Sequence, residues 1–326
     1  MKRFLILAAA VGLAGATGVV AFIGFGQITA ALGVIGWRGL GILIAYSAVP
    51  LSVLTLAWFV LERPWPWRRL RIYLWARLVR DASGELLPFS HLAGLAIGAR
   101  AAASAGLSGS WALATTVVDA TTELIAQVGF TLFGLCLLAG RLDKHAELGG
   151  PAVIGFALTL AAAVSLVALQ RRGMTFVTRL VERVLPTAAA HAVETGGLLS
   201  DLHGRTGRIL LAILLHLGAW TLSGSGVWLV LRVAGLEVRL FDIIGLEALI
   251  AALRTTAFIA PMGLGVQEVG YAVLGPLFGL NVEAAVALSL IKRARDLCVG
   301  LPVLALWQIE EGRRLVRPGR DNALEI

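Results

Sequence analysis

The chain has 326 residues, of which 58% are hydrophobic and only 15% charged, with a mean hydropathy of +0.85. Those values lie outside the range of soluble domains and point to a polytopic α-helical membrane protein. The net charge of +8 and pI near 10.4 raise nucleic acid as a partner; the cations, however, cluster at the ends of apolar segments, as membrane orientation requires, so no nucleic-acid partner is expected.

In chain order, residues 4–25 follow Lys2 and Arg3 and have the basic start and apolar run of a signal peptide. The run continues past any cleavage point, so it is expected to stay as a first span. A short piece, 26–36, leads to a second span over 39–61. Residues 62–80 hold six arginines interleaved with Trp65, Trp67, Tyr73 and Trp75. This predicts an interfacial amphipathic segment with its arginines facing anionic lipid. Residues 81–107 are too short and interrupted to cross twice and read as a re-entrant hairpin around Pro88. A long span over 110–139 and another over 151–169 follow. The region 171–208 is amphipathic, again with six arginines. Another span covers 209–234, then two half-spans, 240–258 and 260–280, and a last span over 283–308 with a basic tail.

The stretch 255–280, TTAFIAPMGLGVQEVGYAVLGPLFGL, is apolar enough for a bilayer yet cannot be one helix. Pro261 removes a backbone donor and Gly263 and Gly265 follow, so a break is expected at 260–265, with Glu268 just beyond it. Opened backbone and a carboxylate at membrane depth are tolerated only inside protein or against a wet cavity. That break, with Gln267 and Glu268, is the first candidate site.

Counting lysines and arginines, six full spans and two re-entrant hairpins place every basic cluster, and both termini, on the cytoplasmic side. Spacing also indicates a duplication. Pro88 is followed at offsets 18, 19, 35 and 36 by Gly106, Leu107, Glu123 and Leu124; Pro261 is followed at the same offsets by Gly279, Leu280, Asp296 and Leu297. The copies cover about 39–140 and 207–309, in one integral membrane domain, and the topology makes them inverted. Inverted repeats with broken helices are a transporter architecture whose site lies at the repeat interface.

Ionisable residues gather around the two proline breaks. Asp119 and Glu123 share a helix face, and pairing with Lys292 or Arg293 across the protein centre is expected, with Arg295 and Asp296 beside them. Glu247 and Arg254 share a face before the second break, and Arg100 in the first hairpin is a candidate phosphate holder. A charge at mid-bilayer costs several kcal/mol, roughly, so such groups are either register-fixing ion pairs or a transport path. His91 and His216 are read as hydrogen-bonded packing residues. Cys136 and Cys298 lack metal-ligand spacing and are read as small packing residues. No hydrolase, metalloprotease, Walker or dinucleotide fingerprint is present, and no metal or cofactor is implied.

The pieces LLPFSHLAGLAIGAR, VVDATTEL, APMGLGVQEVGY and SLIKRARDL together resemble the flippase-like membrane region of the lysylphosphatidylglycerol synthase family. Within it, the chain is most similar to the hopanoid-biosynthesis-associated membrane proteins. The resemblance implies movement of a polar-headed lipid, anionic or hopanoid, between leaflets of a bacterial inner membrane. It also departs from the family pattern: Glu268 matches the acid after the second proline, but Leu95 stands at the first. The soluble aminoacyl-transfer domain of the full synthases is missing from these residues, so the resemblance implies transport without catalysis. A non-transporting scaffold for lipid synthesis and an intramembrane lipid-modifying enzyme are the rival readings.

Overall fold

The computed structural model describes residues 25–62, 66–87, 90–142, 198, 202, 205–256 and 265–316. The expected spans at 4–25 and 151–169, nearly all of 171–208, and Pro88, Pro261 and Gly263 lie outside the described residues. Among the described residues every regular element is helical: α1 (Phe25–Tyr46), α2 (Ala48–Phe59), α3 (Leu70–Leu86), α4 (Ser90–Ser104), α5 (Gly109–Leu142), α6 (Thr206–Val233), α7 (Leu240–Thr256), α8 (Val266–Leu274) and α9 (Val282–Val316). Short 3-10 turns precede α3 and follow α8.

Among the described residues three helical stretches are long and apolar enough to cross a membrane: Gly33–Phe59, Gly109–Arg141 and Thr206–Val233. At 1.5 Å per residue α5 alone reaches roughly 50 Å, well beyond the ~30 Å of bilayer hydrocarbon. Outward faces are apolar too: Leu132, Leu210 and Leu214 are more than half exposed, as residues against lipid tails are free to be. Gly36, with φ +82° and ψ +157°, breaks α1 where the short piece was expected to give way to the second span.

The first hairpin begins earlier than expected. α3 runs through Asp81 to Leu86 without interruption, so the basic segment and the hairpin's first arm are one helix. α4 folds back tightly against it. A Cβ at Gly94 would lie 2.7 Å from the Arg80 carbonyl oxygen, and one at Gly98 would lie 2.7 Å from the Arg80 Cβ. Small residues there let two backbones meet. In the second half α7 ends at Thr256 and α8 starts at Val266, which brackets the expected break; Gly265 enters α8 with φ +81°.

The turn after each hairpin is the same object in both halves. Gly106 (φ +118°) and Gly279 (φ +89°) are left-handed caps. Gly106 N–H donates to Ala103 (3.1 Å) and Leu107 N–H to Ala102 (3.2 Å); Gly279 N–H donates to Pro276 (3.2 Å) and Leu280 N–H to Gly275 (3.0 Å). Both are Schellman motifs, which only a residue without a Cβ adopts cheaply. The shift in position that carries Gly106 onto Gly279 also carries Gly109 onto Val282, the first residues of α5 and α9.

The helix ends fall in different places, however. The last turn of α5 meets the start of α7 through Arg141 and Asp242. The last turn of α9, with Glu310, Arg313 and Arg314, shares a surface groove with Arg71 at the start of α3 and Ala105 after α4. Packing follows suit. One core joins α1 and the end of α6 to α7, α8 and α9; the other joins the end of α2 to α3, α4 and the start of α5.

Candidate functional site

Between the two halves lies a cavity of about 380 Å³, walled by α2, α3, α4, α5, α6, α7 and α9. Leu51, Leu54, Leu95, Phe130, Trp220 and Ile250 supply apolar wall. Against this background stand, among the described residues, ten charged ones in balance. The first half brings Arg77, Arg80, Asp81, Glu85 and Glu123; the second brings Glu247, Arg254, Lys292, Arg295 and Asp296.

On the first-half wall α3 presents Arg77 and Arg80 to Asp119 and Glu123 on α5. Arg77 donates to Glu123 at 2.9 Å, lies 3.5 Å from Asp119, and pairs with Asp81 one turn along at 2.8 Å. Arg80 pairs with both Asp119 and Glu123, and its guanidinium stacks 5.7 Å from the Trp58 ring. A planar fork of donors suits two carboxylates on adjacent helical turns. Behind this set, and wholly buried, His216 Nε2 lies 3.2 Å from Asp119 Oδ1.

This corrects two expectations. Asp119 and Glu123 pair with Arg77 and Arg80 and not with Lys292 or Arg293, because the long arginine side chains of α3 reach across to α5. Arg77 and Arg80 do not face anionic lipid: their side chains are 4% and 8% exposed. Of that segment's described arginines, only Arg68, Arg69 and Arg71 are exposed.

On the second-half wall the Glu247 carboxylate accepts from the Tyr271 hydroxyl and from Lys292, whose ammonium also donates to the Tyr271 oxygen at 2.8 Å. Arg295 pairs with Asp296 at 2.8 Å. One pair crosses the cavity, Glu85 of α3 with Arg254 of α7. Two more join the halves away from it, Arg100 with Glu311 and Arg141 with Asp242. Arg100 is thus engaged by a carboxylate.

Of the residues singled out from the sequence, Glu123, Glu247, Arg254, Arg295 and Asp296 line the cavity, and Asp119 braces it from behind. Glu268 does not line it. Its carboxylate accepts the Gly265 N–H at 2.9 Å, capping α8, and pairs with Arg293. An acid in a helix's first turn is held by the free N–H groups there. Gln267 is likewise internal, donating to the Ser289 hydroxyl at 3.1 Å. Cys136 and Cys298, expected to pack internally, are exposed free thiols on α5 and α9.

The sequence reading missed Arg77, Arg80, Asp81, Glu85 and Tyr271, and left His216 unconnected. A signal was there: positions 77, 80, 81 and 84–85 fall on one face of a helix that continues through 81.

A space that answers both signs of charge, in a wall otherwise apolar, can hold a polar headgroup by exchanging internal ion pairs for ligand ones. Among the described residues no cluster of three or more metal-ligating side chains occurs.

No curated protein and no solved structure matches the chain. The family model for the lysylphosphatidylglycerol synthase TM region matches residues 5–303, nearly the whole length, and the chain belongs to that family.

Proposed function

We propose that the protein moves a polar-headed lipid, hopanoid-related, between the leaflets of a bacterial inner membrane, with the charged cavity as the headgroup's path. Family membership and the membrane-length apolar helices make it a membrane protein tied to lipid metabolism or transport. The observation that carries translocation further is the cavity, where ten balanced charges meet between two halves of the same element order. Charges at membrane depth are costly and mark substrate paths, and a cavity at a repeat interface is where transporters bind.

The α3–α4 and α7–α8 pairs are read as re-entrant hairpins of inverted repeats, within six full spans and with both termini cytoplasmic. Support comes from α5 and α9, which begin after matching turns yet end against opposite hairpins. Repeat symmetry then offers two related states, each open to one side, and the Glu85–Arg254 pair spans the seam between them. The reading assigns no catalytic step.

The test is leaflet exchange of labelled hopanoid, phosphatidylglycerol and polyprenyl-phosphate lipids in proteoliposomes, comparing wild type with Arg254→Ala and Glu85→Gln. Exchange well above empty vesicles, lost in folded variants, supports transport through the cavity. No exchange for any of the three replaces it with a scaffold in lipid synthesis, and a lipid of altered mass replaces it with an enzyme. Fusions that fluoresce only in the cytoplasm, placed at each terminus, test the orientation.

A further inference from the structure

We infer that His216 and Asp119 form the proton-binding site of this transporter, through which a proton gradient drives lipid movement. The inference rests on the transport reading above and adds its energy source. Three observations carry it.

The first is burial: the His216 and Asp119 side chains are both 0% exposed, with Nε2 and Oδ1 3.2 Å apart. The second is charge. Among the described residues the cluster holds two guanidiniums, Arg77 and Arg80, against three carboxylates, Asp81, Asp119 and Glu123. The other cavity charges cancel in pairs, Glu85 with Arg254, Glu247 with Lys292 and Asp296 with Arg295. One negative charge is left over, and a proton on His216 neutralises it. The third is a hydrogen-bond deficit. His216 Nδ1, also buried, has no partner among the described residues. A neutral imidazole donates from one nitrogen and a protonated one from both, so Nδ1 is the atom at which a proton would be gained or lost.

The site communicates with the path. Arg77, Arg80 and Glu123 touch both Asp119's surroundings and the cavity, and Ala219, Trp220 and Ser223, on the His216 face of α6, line the cavity. Among the described residues the other ionisable groups on the helices packed against α6 are few. From α1 come exposed Arg38 and Tyr46, the latter against Gly226; α2 brings none; α7 brings Asp242, Glu247 and Arg254, each in its own ion pair.

The experiment uses the same proteoliposomes and three labelled lipids, with and without an imposed gradient of one pH unit, collapsed by a protonophore as control. Wild-type exchange should accelerate up to roughly tenfold, the factor in proton activity that one pH unit represents. His216→Gln keeps a hydrogen bond to Asp119, and His216→Arg keeps a fixed cation. Each folded variant should lose the gradient response, measured against its own exchange without a gradient. Wild-type exchange indifferent to the gradient overturns the coupling and leaves the transport reading standing. An undiminished response in either variant overturns the assignment to His216. No wild-type exchange at all removes both readings.

Discussion

Replacing Lys292 with methionine tests the second-half wall most sharply. Lys292→Met preserves the bulk of the side chain but leaves the Glu247 carboxylate with only the Tyr271 hydroxyl to answer it. The Glu247 and Lys292 side chains are each 8% exposed, so water does not step in where the ammonium was. At 4 Å and an effective dielectric of 20 the lost attraction is about 4 kcal/mol, in line with the roughly 3–5 kcal/mol seen when one partner of a buried pair is removed. Removing both partners, Lys292→Met with Glu247→Met, relieves the desolvation of two ions, so its cost should fall to about 1–2 kcal/mol, mainly the Tyr271 hydroxyl left without its acceptor. The assay is equilibrium unfolding in mixed micelles, followed by tryptophan fluorescence. A single variant within about 1 kcal/mol of wild type would show that the pair is wet and contributes little. A double variant costing the sum of the two singles would show that the partners are not coupled. Either result would refute the reasoning.

Further outcomes follow from packing and caps. Gly94→Ala pushes a methyl against the Arg80 carbonyl and the Gly84 backbone, which have nowhere to go, and should cost about 1–3 kcal/mol in the same unfolding assay. Gly140→Ala in α5 meets nothing within 4 Å and should stabilise by up to about 1 kcal/mol. Gly106→Ala and Gly279→Ala should each cost about 1–2 kcal/mol, and by similar amounts, because the two turns share one geometry. Glu268→Gln weakens the α8 cap and the Arg293 pair; a loss of about 1–3 kcal/mol is expected with lipid exchange retained. Loss of exchange in a folded Glu268→Gln protein would return the headgroup path to the break.

Composition determined the class, because a chain this apolar has no way to be stable in water. Apolar run length gave the three membrane-length helices to within a few residues, since a span needs only its own sequence to satisfy its backbone. Local chemistry announced the duplicated turns as well. Gly106 and Gly279 stand where a Schellman cap needs a positive φ, and no distant residue alters that need.

Partnership was not local. That Asp119 answers to Arg77, Arg80 and His216 depends on how α3 and α6 are placed around α5, and several arginines within the same span satisfy the rule of opposite charge equally well. The six-arginine segment was read as a lipid-facing surface for the same reason: sequence gives the charge of Arg77 and Arg80, but only the tertiary placement of α3 opposite α5 says they point inward. Glu268 stands in the most unusual stretch of the chain, and its role as helix cap and partner of Arg293 became visible only once α8 and α9 lay side by side. The cavity is the extreme case. Its ten charges come from four helices in two halves of the chain, and the space between them exists only because those helices meet.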